Sequence, residues 1–507
     1  MSWTELMEKT AVARDKSLLE LFAESPDRVE ELTVENGPIR FDFSKTHLKD
    51  DVVTAFEAYL SEQGFEKARD GLFSGAILNP SEGRPVLHTA LRGSFSPEVA
   101  EDGSQVRPFI DAELNKMREF AAAAHASGTY DQVLHLGIGG SALGPEMVVE
   151  ALSHLGMKMD VHVVSNVDGA ALAALLPKLN ASRLLVVVAS KTFTTVETLT
   201  NAKTVLSWMQ SQGVENPLAQ CVAATANPQA AQAFGIDDAR IFAFSDWVGG
   251  RYSLWSTIGL PIALGLGVDV FDALLKGAAV MDAHFKSAPV AQNAPVLAAI
   301  SDVLYANVFD AETRAVFAYD QRLNLLVPYL QQLEMESNGK GVKSDGSPLS
   351  YMTGPVTWGG VGTDAQHAVF QLLHQGTHMT PTEFIAVRQA DHDWDVHHRQ
   401  LLANCFGQSA ALMQGQGSDD PAKCFSGNRP STTIVLDRLT ADALGGLLAF
   451  YEHRTFVAGF LWGLNSFDQM GVELGKILAK KLGAILDGSG QATDLDPSTQ
   501  ALLKLIQ

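Results

Sequence analysis

Glu336 follows an apolar run and precedes the turn-forming Asn338-Gly339-Lys340, so the spacing predicts a carboxylate at a helix or strand end, facing a cleft. A carboxylate held in that way can carry a proton between neighbouring carbons. Arg251 comes directly after Gly249 and Gly250, which let the backbone approach a ligand closely, and its guanidinium stays charged beside a developing oxyanion. His367, in Gln366-His367-Ala368, has a side chain that exchanges protons near neutrality. The stretch from Phe467 to Lys476 crowds an amide, an acid and an ammonium group into one helical start, with Val472 and Lys476 four residues apart. Each also has a plainer reading: a solvated glutamate, an arginine paired with Asp246, a satisfied core histidine and an ordinary amphipathic helix.

Two candidate strand ends could hold an anion. With 58 acidic residues against 37 basic ones and a net charge of −21, the chain must draw local positive potential from backbone donors to hold one. After the apolar Val133 to Leu136 comes Gly137-Ile138-Gly139-Gly140-Ser141, which lets N–H groups face a ligand and then opens a helix. Such turns also serve dinucleotides or close packing. The dinucleotide fingerprint fits poorly, because Ala142 stands where its last glycine belongs and Asp160 precedes the next strand instead of ending it. After Leu184 to Ala189 comes Ser190-Lys191-Thr192-Phe193-Thr194-Thr195. Four hydroxyl residues within six positions make a poor core and a good phosphate site.

In this order along the chain, these segments resemble those of the glucose-6-phosphate isomerase family. Asp246-Trp247-Val248-Gly249-Gly250-Arg251-Tyr252-Ser253 is similar to its first signature, Met335-Glu336-Ser337-Asn338-Gly339-Lys340 to the segment bearing its catalytic base, and Phe467 to Lys476 to its C-terminal signature. Phe73-Ser74-Gly75, Val86-Leu87-His88 and Phe425-Ser426-Gly427-Asn428-Arg429-Pro430 match too, so the likeness spans roughly the whole chain. The resemblance implies aldose–ketose isomerisation of a hexose 6-phosphate without a metal or other cofactor. It makes Glu336 the base, Arg251 the partner of the enediolate, His367 the ring-opening residue and Lys476 its assistant at the same oxygen. Gly140, Ser141, Ser190, Thr192 and Thr195 would hold the phosphate, with Lys191 adding charge, Gln469 nearby and Gln332 touching the sugar. In the family the histidine reaches the site from the neighbouring subunit, so a homodimer with shared active sites is expected. Leu333 and Glu334 stand where many relatives have glycine and aspartate, and Arg92-Gly93-Ser94 departs from the family's Arg-Asn-Arg.

The composition fits a globular protein with more than one domain. The acidic balance argues against nucleic-acid partners and anionic membranes. Three cysteines at no metal-like spacing suit a cytoplasmic location, and the first residues carry no apolar leader. The apolar Leu444 to Leu464 is broken by Glu452, His453 and Arg454, as in a buried helix and not a membrane span. The first hundred residues read as helices, for example Asp50 to Gln63, with Val53, Phe56 and Leu60 on one face.

From about residue 130 short apolar runs alternate with helical segments, which predicts α/β structure with doubly wound parallel sheets. Candidate strands are Val133 to Leu136, Val161 to Val164, Arg183 to Ala189 and Ala315 to Tyr319, with another within Gly376 to Ile385. With the resemblance, this becomes two domains of sugar-isomerase (SIS) type, at 100–265 and 266–480. A helical N-terminal region covers 1–99 and a helical tail 481–507, ending in a helix over Ser498 to Leu505. Asp391 to His398 mixes histidines and carboxylates but lacks a helical zinc motif, and reads as a loop leading into a helix from Gln400. The rival reading is a non-catalytic sugar-phosphate-binding regulator, which would have no use for Glu336, Arg251, His367 and Lys476 together. A further enzymatic rival acts also on mannose 6-phosphate.

Overall fold

The structure, a computed structural model, describes residues 1–93, 95–490 and 494–506, so Ser94 lies outside the described residues. The chain divides into two compact units, Met1–Ser466 and Phe467–Gln507. In chain order the strands of the first unit are β1 (Thr33–Asn36), β2 (Ile39–Asp42), β3 (Gln132–Leu136), β4 (Asp160–Val164), β5 (Leu184–Ala189), β6 (Cys221–Thr225), β7 (Ile241–Ala243), β8 (Thr313–Tyr319), β9 (Val356–Val361), β10 (Thr382–Val387) and β11 (Ser431–Leu436).

One sheet is wholly parallel, in the order β4-β3-β5-β6-β7. Its centre, β5, is Leu-Leu-Val-Val-Val-Ala and is buried along its whole length, as a parallel strand covered on both faces must be. Ala202, Val205 and Met209 of the helix Val196–Ser211 pack with Leu134, Val186 and Ala223 of the sheet in one apolar cluster. The second sheet runs β1-β2-β11-β10-β8-β9. Its strands β8 to β11 pair in parallel, while the β1–β2 hairpin joins antiparallel through β2 and β11. The N-terminal region is therefore not helical throughout. It contributes a hairpin to the second sheet, alongside the expected helix, which runs Asp50–Glu62 and buries Val53, Phe56 and Leu60.

Two long helices, Val268–Ser287 and Ala441–Trp462, meet backbone to backbone. A Cβ on Gly277 would overlap the Asp442 carbonyl, and one on Gly445 the Leu274 carbonyl. The second of these helices is buried nearly all round, and the charges that interrupt it all find partners. Arg454 donates to Asp302 at 2.6 Å and to Glu383 at 2.7 Å, His453 pairs with Asp282 at 2.7 Å, and Glu452 accepts from Trp255 at 2.7 Å. Among the described residues no helix is long and apolar enough to cross a membrane. The helix expected from Gln400 begins already at Asp395, and Asp391 just before it accepts from Arg322 at 2.8 Å.

In the C-terminal unit a short 3-10 turn, Met470–Val472, leads into the helix Glu473–Leu486. The expected last helix runs Pro497–Ile506, one residue further at each end.

Candidate active site

The candidate phosphate loops lie at the carboxyl ends of β3 and β5, the usual place for ligands in an open parallel sheet. Beyond β3, Gly139 is left-handed at φ +55° and starts a short turn through Ser141. His135, buried on β3, donates through Nε2 to the Ser141 carbonyl at 2.6 Å, and burial lowers its pKa to about 4. Gly140 lies directly on the backbone of Gly250 and Arg251, with no room for a methyl group between them. Ser253 Oγ donates to the Gly250 carbonyl at 2.7 Å and reaches that of Gly140 at 3.3 Å.

Beyond β5, Ser190 Oγ accepts from the Phe193 amide at 3.1 Å and lies 2.9 Å from Thr195 Oγ1. That bond helps hold Phe193 in a left-handed conformation, φ +54°, with its ring buried in the sheet's apolar cluster. Thr195 occupies the N-cap of the helix Val196–Ser211, but its hydroxyl turns to Ser190 and leaves the first-turn amides open to an anion. Thr192 and Thr194 are exposed, their hydroxyls 2.7 Å apart. Lys191 turns its ammonium to the carbonyls of Asp246 at 2.9 Å and Val248 at 3.1 Å, tying this loop to the segment before Arg251. Burial lowers its pKa, and the Asp246 carboxylate 3.7 Å away works against that shift.

Glu336 ends a π-helical turn, Gln331–Glu336, a wide winding that recurs at functional sites. Its carboxylate, 22% exposed, stands 3.7 Å from Nη1 of Arg251, which is 1% exposed. The other edges of that guanidinium are fixed. Nε donates to Ser337 Oγ at 2.6 Å and Nη2 to the Ser466 carbonyl at 2.6 Å. Tyr252 OH lies 2.9 Å from Ser337 Oγ, and the His88 ring stacks on Tyr252 with centroids 4.7 Å apart. Asn338 donates to the Thr455 carbonyl at 2.8 Å and accepts from Ser466 Oγ at 2.7 Å, which fixes the chain just after the glutamate. Asp246, the alternative partner for Arg251, instead faces Lys191 and Arg84. Gln332 lies against Gly139, where a Cβ would come within 2.9 Å of its Nε2.

The first unit thus brings together Glu336, Arg251, Gln332, Gly140 and Ser141, and Lys191 links this group to Ser190, Thr192 and Thr195. His367 is not part of the cluster. It is exposed on the first turn of the helix Gln366–Gln375, after β9, and makes no hydrogen bond or ion pair with Glu336. In the C-terminal unit, Gln469 precedes the 3-10 turn and Lys476 donates to Glu473 at 2.8 Å. Ser337, Tyr252, Ser466 and His88 support the site although sequence reasoning gives them no role. Ser337 had the one available signal, a hydroxyl directly after the proposed base.

Comparison with known proteins identifies the family. The model of the family described as phosphoglucose isomerase matches residues 42–503. The glucose-6-phosphate isomerase of Rhizorhabdus wittichii is 52% identical over 504 residues, covering 99% of this chain and 98% of its own. That of Zymomonas mobilis is 49% identical over 98% of this chain and 96% of its own. The crystal structure of a glucose-6-phosphate isomerase from Chlamydia trachomatis superposes with a TM-score of 0.89 at 32% identity, covering 99% of this chain and 98% of that one. With likeness this extensive in both sequence and fold, the chain belongs to the phosphoglucose isomerase family.

Proposed function

We propose that the chain is an isomerase that interconverts glucose 6-phosphate and fructose 6-phosphate through an enediolate. The observation that carries this reading is the buried Arg251 guanidinium, held on two edges and turned toward the Glu336 carboxylate 3.7 Å away. Moving a proton from C2 to C1 asks for one carboxylate above both carbons, and the charge that appears on the sugar oxygens asks for a fixed cation that does not give up its own proton. Glu336 is assigned the first task and Arg251 the second. The hydroxyls of Ser190, Thr192 and Thr195 and the open first-turn amides of the helix Val196–Ser211, with Gly140 and Ser141, suit the 6-phosphate, with Gln469 assigned near it and Gln332 to a sugar contact. Lys191 serves the phosphate loop through its tie to the segment before Arg251.

Ring opening is assigned to His367 and Lys476. The exposure of His367 favours its acting in the site of a second copy, so the working unit in this proposal is a homodimer. Neither proton transfer calls for a metal or cofactor. The free thiols Cys221, Cys405 and Cys424 fit a cytoplasmic enzyme.

A coupled assay of fructose 6-phosphate conversion, run in chelator, tests the reading with wild type, Glu336→Gln, His367→Ala and a mixture of the two variants. Robust wild-type turnover, a loss of about 10^4-fold in Glu336→Gln and recovery in the mixture are expected. A wild type without turnover would sink the isomerase reading. A mixture that stays inactive after confirmed subunit exchange would sink the shared site.

A further inference from the structure

The geometry points to Glu334 as a positioning residue that sets the winding of the π-turn and so aims the Glu336 carboxylate. This rests on the isomerase reading above. A π-helical turn is rare because its wide winding is less favourable than the α-helix it interrupts, so side-chain contacts must hold it. Here they do. Glu334 offers both carboxylate oxygens to Nη2 of Arg314 on β8, and Thr357 on β9 donates to Glu334 Oε2 at 2.5 Å. Gln331, three residues earlier, donates to the Thr357 carbonyl at 3.1 Å. One face of the turn is therefore pinned to two adjacent strands of the second sheet. Gln332 and Glu336, four residues apart, occupy the other face, one against Gly139 and the other before Arg251.

The anchor is itself held in place. Arg314 is 3% exposed and faces Asp302 at 3.6 Å and Glu383 at 3.4 Å, and Arg454 bridges those same two acids. Two guanidinium groups thus meet three carboxylates. Replacing Glu334 by glutamine keeps the volume and leaves two cations with two anions, so no buried charge is left without a counter-charge while the hold on the turn is weakened. The expected defect lies in the aim of the base and not in folding or substrate capture.

The test compares wild type, Glu334→Gln and Thr357→Val in fructose 6-phosphate turnover, inhibition by sorbitol 6-phosphate, and thermal midpoint. In Glu334→Gln kcat should fall about ten- to a hundredfold, the scale of a misplaced catalytic group. KM and the inhibition constant should stay within about twofold, which separates a transition-state effect from lost binding. Thr357→Val, which removes one bond to the carboxylate, should show the same pattern at about threefold, and it decides alone if the glutamine variant does not fold. Unchanged kcat, or a rise of KM and of the inhibition constant together with a fall in thermal midpoint, would overturn the positioning role while leaving the isomerase reading intact. A wild type without turnover would overturn both.

Discussion

The two ends of the candidate site are built from different materials. The end proposed for the phosphate uses regular structure and neutral donors: strands β3 and β5 stop, glycines and hydroxyls follow, and a helix begins with its amides open. The end proposed for proton transfer uses irregular backbone and buried charge. Glu336 closes a π-turn that Glu334 ties to Arg314 and Thr357, and Arg251 sits in a 3-10 segment with its guanidinium donating to Ser337 and to the Ser466 carbonyl. The contrast has a physical origin. Donors for a dianion come with the polypeptide wherever a parallel strand meets a helix. A charged pair taken out of water needs partners for every remaining polar atom and a backbone bent to aim it.

If that contrast is right, damage at the charged end should lower turnover and damage at the neutral end should weaken binding. The sharpest case is Arg251→Lys, which keeps the charge but loses the fork that reaches Ser337 and Ser466. Its kcat should drop about a hundred- to a thousandfold with KM little changed, and steady-state kinetics showing a KM effect instead would break the comparison.

The neutral end hides a titratable group in His135. Its folded pKa is lowered to about 4, as are those of His47 and His284, all chiefly by burial. The unfolded chain therefore takes up the proton first, and stability should fall as the pH drops from about 6.5 to about 4, by roughly 3 kcal/mol for His135 alone. Urea midpoints at about pH 7.5 and about pH 4.5 would measure the loss, and His135→Gln should flatten it. An unaltered slope in that variant would remove His135 from the account. The mildest change is Thr192→Val, an exposed hydroxyl at the phosphate end. It should raise KM about tenfold with kcat within about twofold, and a comparable loss of kcat would blur the two ends into one.

The strands legible in the sequence are those with plain apolar runs, such as β3, β5 and β8. The ones it conceals have reasons. In β9 two adjacent glycines look like a turn, yet Gly359 is there because a Cβ would strike the Val316 carbonyl of β8. In β11 the hydroxyls of Ser431, Thr432 and Thr433 mask a buried strand. The β1–β2 hairpin carried a readable sign in Asn36-Gly37 between alternating buried and exposed residues, but its partner β11 lies almost four hundred residues away in the chain. Glu336, Arg251, Gln332, Gly140 and Ser141 were named from order and motif, whereas Tyr252, Ser466 and His88, which act through tertiary contacts, were not. Nor was the π-turn, because its winding depends on Arg314 and Thr357, and no local period encodes those contacts.

The place where Gly140 rests on Gly250 and Arg251 makes a single mechanical part of two loops that belong to different strands. A push on one is a push on the other, with no side chain between them to give way. In the proposed reaction, the grip on a group that takes no part in the chemistry would thus be spent on holding the reacting carbons still.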